Sequence, residues 1–118
     1  MIIDYTKIDQ IFLVCGKTDM RKSIDGLAAI VQGQFNLDVF DHCIFFFCGG
    51  SRNKYKALFW DGDGFMLLYK RIEKGKIKWP RTNHEVRNIT QRELRWLLEG
   101  LKIDQPKAIQ QVDPAGFY

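Results

Sequence analysis

Two hydrophobic spacings alternate along the chain, and together they predict an α+β domain. "IFLVC", Ile11 to Cys15, is a β-branched and aromatic run closed by Gly16, which predicts a strand. In "TDMRKSIDGLAAIVQGQF" the spacing lengthens. Ile24, Leu27, Ala28, Val31 and Phe35 fall on one helical face, so a helix is predicted near residues 20–32. Thr18 or Asp19 would cap it and Gly33 would stop it. "HCIFFFC", residues 42–48, is apolar throughout and predicts a central strand covered on both faces.

After the loop "GGSRN", the stretch "KYKALFW" (54–60) alternates, with Lys54 and Lys56 on one face and Tyr55 and Ala57 on the other. "DGDG" supplies turn chemistry, because glycine takes positive φ freely, and "FMLLYKRI" (65–72) is the return strand. "EKGK" reads as a second turn and "IKW" (77–79) as a short third strand. In that strand Ile77 and Trp79 would face in while Lys76 and Lys78 face out. Residues 54–79 thus read as an antiparallel meander. "ITQRELRWLLEGL" carries the strongest helix signature, near 91–100. Thr90 and Glu93 have capping-box spacing, Ile89 and Leu94 sit at the staple positions, and Leu94, Leu97, Leu98 and Leu101 form the stripe to bury. The expectation is one α+β domain over residues 1–101: an antiparallel sheet with two helices packed on it. Residues 102–118 hold two prolines and no periodicity, and are expected to be an extended or mobile tail with Ile103 docked.

Composition fits this picture. A chain of 118 residues with 46% apolar and 27% charged positions is globular, fits one domain and needs no staple to hold its core. Cys15, Cys43 and Cys48 are odd in number and form no CxxC, which argues against a disulfide framework. There is no leader pattern, and the longest apolar run, "CIFFFC", is far too short to span a bilayer. These features predict a reducing, cytoplasmic setting without membrane association.

Charge adds more. The net charge is +4, but Arg52 to Arg81 holds nine Lys or Arg against three acids, a local +6 that leaves −2 for the rest. The cations are Arg52, Lys54, Lys56, Lys70, Arg71, Lys74, Lys76, Lys78 and Arg81. A β ribbon with cationic edges can lie along a nucleic-acid backbone. The aromatics among them alternate toward the core, and the RNA-recognition signature is absent, so phosphate contact is favoured over base readout. The plainer alternative is a set of lysines that keeps a sheet edge soluble. Lys17, Arg21 and Lys22 crowd the predicted start of the first helix and are further candidate phosphate contacts, unless Asp19 and Asp25 neutralise them.

Other chemistry is disfavoured. "CGKT" ends like a P-loop, but Ile11 stands where its first glycine belongs, and Phe12 to Cys15 are too bulky to wrap a phosphate. Asp61 and Asp63 lack the remaining oxygen ligands of a calcium loop. Cys43 and Cys48 are five apart on one strand and would point to opposite faces, which forbids a shared zinc. His84 is a lone loop histidine. No nucleophile motif or convergent acidic triad is visible. The chain is therefore expected to be non-enzymatic, with no cofactor and no metal.

"VCGKTDMRKSIDGLAAIV", "FFCGGSRNKYKALFWDGDGFMLLYKRIEKGKIKWPR" and "ITQRELRWLLEGLKIDQPKAI" together resemble the TnpB accessory proteins of insertion-sequence-66 transposable elements. The order of "TDMRK", "DGL", "WDGDG", "YKR" and "WP" carries the resemblance. Ser23 stands where a glycine is common after "MRK", and serine is acceptable in a first helical turn. The resemblance implies a bacterial mobile-element protein that acts in DNA transposition beside a separate, element-encoded transposase, the partner that would carry the catalytic carboxylates. It implies no catalytic residues here. DNA and the transposase are the partners expected, and the alternative is a protein-only adaptor that docks on the transposase through the second helix or the tail.

Overall fold

A computed structural model describes residues 8–82 and 85–103, so most of the expected tail and His84 lie outside the described residues. Five strands, β1 (Gln10–Lys17), β2 (Cys43–Cys48), β3 (Lys54–Trp60), β4 (Phe65–Arg71) and β5 (Val86–Ile89), form one sheet in the order β4-β3-β2-β1-β5. Two helices accompany it: α1 (Ile24–Ala29), which runs on into a π-helical turn (Ile30–Gln34), and α2 (Gln91–Leu98). The architecture is the predicted α+β domain.

The apolar run is the middle strand, and all six residues of β2 are buried. β2, β3 and β4 form an antiparallel meander, with Phe46 opposite Ala57 and Ala57 opposite Leu68, in place of the one expected over residues 54–79. Asp61 N–H donates to the Gly64 carbonyl at 2.8 Å and Gly62 sits at φ +83°, so "DGDG" is the hairpin turn its composition predicts. β1 and β2 are parallel, which departs from the antiparallel expectation. The reason is the helix between them: a chain that leaves one strand, crosses the sheet and returns arrives in the same direction.

Alternation along the strands splits the core into two layers. Leu27 and Val31 pack on Val14, Phe45, Phe47 and Leu58 on one face. Leu97, Ile77 and Trp79 pack on Leu13, Phe46, Ala57 and Phe59 on the other. Phe45, Phe47 and Phe59 are among the largest fully buried side chains, and each contributes about 1.5–3 kcal/mol by leaving water. Cys43 belongs to the first layer and Cys48 to the second, as their spacing predicts.

Three local expectations are corrected. First, "IKW" forms no strand. The chain must travel from β4 at one edge to β5 at the other, and residues 72–82 make the described part of that crossing. Ile77 N–H donates to the Arg52 carbonyl at 2.8 Å, and the Trp79 indole N–H donates to the Val14 carbonyl at 3.0 Å. Alternation survives, with Ile77 and Trp79 buried and Lys76 and Lys78 exposed, because an extended segment lying on a core sorts its side chains as a strand does. The fifth strand is instead "VRNI", antiparallel to β1. Its short, polar composition hides it.

Second, α1 begins at Ile24, after residues 18–23, and neither Thr18 nor Asp19 caps it. Ser23 holds the N-cap position without a side-chain bond. Nor does Gly33 stop it. The wide turn passes Gly33 and ends before Asn36, which takes a left-handed φ of +53°. Third, the stripe on α2 is only partly covered. Thr90 and Glu93 form the predicted capping box and Leu97 is buried, but Leu98 is 37% and Leu101 43% exposed. The helix ends at Leu98 and the chain turns at Gly100, φ +84°, which takes Leu101 off the helical stripe. Ile103 is buried against the same layer, as expected.

Candidate nucleic-acid interface

Strand direction decides which charges meet. The C-terminal ends of β1, β2 and β4 and the N-terminal ends of β3 and β5 share one end of the sheet. Lys17, Arg52, Lys54 and Arg71 lie there. At the other end, before β1 and β2 and in the β3–β4 turn, lie Asp9, Asp38, Asp41, Asp61 and Asp63. Asp19, Glu73 and Glu85 also lie beside the first end, Asp19 held by Arg21 and Glu73 by Arg71, so that end is cationic on balance and the other acidic.

At the cationic end the chain leaves β1 toward α1 but leaves β2 toward β3. A crevice lies between these two exits. The cavity has a volume of about 310 Å³ and is ringed by Lys17, Arg52 and Arg81. Its floor is Trp79 and Pro80, and its walls include Gly16, Gly49 and Gly50. A neighbouring hollow shares Lys17, Gly49 and Gly50 and adds Lys54 and Asp19.

Each cation reaches the crevice through a definite backbone device. In the β1–β2 register Val14 pairs with Phe47, yet Lys17 pairs with Cys48, so Cys15 and Gly16 form a bulge. Bulges of this kind re-aim the following side chain. The bulged amides turn to the crossing segment: Gly16 N–H donates to the Pro80 carbonyl at 2.8 Å and Cys15 N–H to the Glu85 carbonyl at 2.9 Å. That pairing brings Arg81 beside Lys17. Gly16 takes φ +78°, which an L side chain resists. Arg52 is the unusual residue. It closes the "GGSR" turn, its N–H donating to the Gly49 carbonyl at 3.0 Å, and it adopts φ +60° without being glycine. A left-handed conformation costs an ordinary residue roughly 1–2 kcal/mol.

The other predicted contacts divide. Lys54 stands opposite Arg71, a like-charge cross-strand pair that disfavours the sheet by roughly 0.2–1 kcal/mol. Arg71 is partly relieved by Glu73, whose carboxylate accepts from its Nε at 2.8 Å. Lys56 is tied to structure: its ammonium donates to the Lys22 carbonyl at 2.7 Å and lies 5.7 Å from the Tyr69 ring centroid. Arg21 grips Asp19 with Nε and Nη2, at 2.7 Å for the shorter contact, and this holds the Asp19 carboxyl well below the usual range. Lys70 lies on the α2 side of the sheet, and Lys74, Lys76 and Lys78 line the exposed side of the crossing segment.

Lys17, Arg21 and Lys22 were expected at a helix N-terminus, but they precede the short α1, and only Lys17 joins the crevice. The convergence of Lys17 with Arg52 and Arg81 was not legible in the sequence. Its signals were the Gly-Lys pair at 16–17 and the Gly-Gly pair at 49–50, which read as a failed P-loop and a plain loop.

The three thiols are core groups. Burial pushes Cys15, Cys43 and Cys48 each up to about 11, so all are protonated at neutral pH. Among the described residues no group of three or more His, Cys, Asp or Glu could hold a metal, and no helix is long and apolar enough to cross a membrane.

The fold and this end of the sheet define a small α+β domain with a built, cationic crevice. The chain belongs to the IS66 Orf2-like family, the TnpB accessory proteins of IS66 insertion sequences, whose family model matches residues 9–108. Membership makes it a transposition-related accessory protein. It is similar to two uncharacterized proteins of Sinorhizobium fredii. With y4hO it is 32% identical over 98 residues, covering 83% of this chain and 85% of that protein. With y4jC it is 27% identical over 92 residues, covering 78% and 79% respectively. No solved structure matches the chain.

Proposed function

We propose that this protein is a non-enzymatic factor of bacterial DNA transposition that holds DNA phosphates on the cationic end of its sheet and works beside a separate transposase. The observation that carries the reading is the segregation of charge along the strands. Lys17, Arg52, Lys54 and Arg81 gather at one end, with Lys74, Lys76 and Lys78 on the adjoining crossing segment, while five aspartates gather at the other. Such a field orients the domain end-on to a polyanion. Three protonated thiols suit a reducing cytoplasm, where the element's DNA resides.

The test is binding to element-end DNA and to unrelated DNA across a salt series, with and without the transposase. If about five phosphates are neutralised, log affinity falls against log salt with a slope of about −4 to −5. A slope near zero, or no binding with the transposase present, refutes the DNA contact.

One observation favours a second reading, a protein-only adaptor. Between α2 and the sheet lies a groove of about 330 Å³ lined by Ile8, Ile11, Leu68, Leu94 and Leu98, with a predominantly apolar wall. In that reading the transposase docks there, and Leu98→Ser abolishes its capture while leaving any DNA binding in place.

A further inference from the structure

Lys17, Arg52 and Arg81 come from three separate stretches of chain, and among the described residues no carboxylate lines the crevice they share. Asp19, which lines the neighbouring hollow, is already held by Arg21 through two nitrogens. Gly50 lies against the Lys17 stem, since a Cβ built there would meet Lys17 Cδ at 3.6 Å. Gly50, an exposed lining residue, donates its N–H to no backbone carbonyl among the described residues. Trp79, 5% exposed, lines the crevice with its indole N–H already given to the Val14 carbonyl, so it contributes apolar surface and no acceptor that would compete for the cations. The strained arginine adds an independent observation. A left-handed position that glycine or asparagine would fill at lower energy is held by a long cation that lines the crevice together with Lys17 and Arg81.

We propose that this crevice is a discrete seat for one phosphate group, and that a phosphodiester of a nucleic-acid strand is its ligand. The proposal rests on the DNA-contact reading above and adds a single saturable site to what is otherwise a diffuse cationic surface. A phosphodiester carries two anionic oxygens on a tetrahedral phosphorus, which cations arriving from separate directions can share, and each guanidinium is able to offer a two-pronged contact. The low-dielectric floor strengthens each attraction relative to the open rim. Lys74, Lys76 and Lys78, exposed along the crossing segment, then supply steering and salt-dependent affinity.

The experiment has two ligand arms and two sets of variants. Amide chemical shifts of the labelled full chain are followed against inorganic phosphate, and affinity is measured for a short DNA duplex over a salt series. Saturable shifts are expected at Gly16, Lys17, Gly49 and Gly50. Arg52→Gly and Arg81→Gln should each lower duplex affinity about fivefold to tenfold and reduce the salt slope by about one. The double variant should abolish saturation by phosphate. Because Arg52→Gly relieves a left-handed residue, its melting temperature should hold or rise while binding falls, which separates lost contact from lost fold. The variant carrying Lys74→Gln, Lys76→Gln and Lys78→Gln should keep the saturable shifts.

If the double variant binds duplex as tightly as the parent, the seat is wrong and the DNA contact stands. Shifts that grow linearly over the whole exposed backbone also overturn the seat. Saturable phosphate shifts without any duplex binding support the seat but remove the DNA reading, leaving a small phosphate compound as ligand. The absence of both removes both.

Discussion

The indole N–H of Trp79 donates to the carbonyl of Val14, 65 residues away in sequence, at 3.0 Å. Val14 is the last residue of β1 before its bulge, so this bond pins the crossing segment at the point where the β1–β2 register breaks. It also fixes Pro80 over Gly16 and with it the floor of the crevice. Trp79→Ala should lower unfolding free energy by about 3–5 kcal/mol, as expected for removing a buried aromatic. Trp79→Phe keeps most of the buried area but removes the bond to the Val14 carbonyl, and should cost about 0.5–1.5 kcal/mol. Urea denaturation of the two variants checks both figures. If the Phe variant is as destabilised as the Ala variant, packing at this site matters less than the bond.

A second prediction separates the rim from the core. Lys74, Lys76 and Lys78 are exposed and alternate with buried Ile77 and Trp79. Replacing all three by Glu should change stability by no more than about 0.5 kcal/mol each. The same change should weaken DNA binding strongly, because three attractions become three repulsions. A triple variant that folds normally and supports transposition at the parental frequency removes this surface from DNA contact and promotes the adaptor reading.

The α2 cap offers a calibrated control. Thr90 Oγ1 accepts from Glu93 N–H at 3.1 Å, and Glu93 Oε1 accepts from Thr90 N–H at 3.0 Å. Thr90→Ala should cost about 1 kcal/mol, within the usual range of 0.5–2 for such caps. Since Thr90 follows the C-terminal end of β5, at the opposite end of the sheet from the crevice, phosphate and DNA affinity should not change. A loss of DNA binding in Thr90→Ala, at full folding, would link α2 to the nucleic-acid surface.

What the sequence displayed and what it hid follow one physical division. Elements set by local periodicity were legible: the buried β2, the β3–β4 hairpin with its Asp-Gly turn, the buried face of α1 and the capping box of α2. Features that depend on a distant partner were not. Residues 77–79 have strand periodicity, but no neighbouring strand is free to pair with them. "VRNI" has almost none, yet β1 offers it an open edge. The crevice belongs to the second kind. Its three cations lie up to 64 positions apart, from Lys17 to Arg81, and only the bulge at Cys15–Gly16 and the left-handed Arg52 bring them together.

The last prediction uses the thiols. Cys15, Cys43 and Cys48 are free and buried, and burial raises each from an ordinary 9.0 to about 11. At pH 8 a group titrating at about 11 is roughly one part in a thousand thiolate, against about a tenth for a cysteine at the ordinary 9.0. Alkylation of the native chain at that pH should therefore be at least about a hundredfold slower than in urea, and restricted further by access. The same shift makes stability depend on pH. The native state keeps its thiol protons to a higher pH than the unfolded chain, so between pH 9 and about 11 unfolding releases protons and is favoured as pH rises. Below pH 9 the contribution is fully present; above about 11 it is gone. Within that window each thiol should steepen the fall by about 1.4 kcal/mol per pH unit. Cys48 is fully buried, so Cys48→Ala should remove about one such increment from the slope while leaving the other two. Rapid native alkylation of any of the three, or an alkaline slope that Cys48→Ala does not alter, would show that the thiols are more accessible than their place in the core allows.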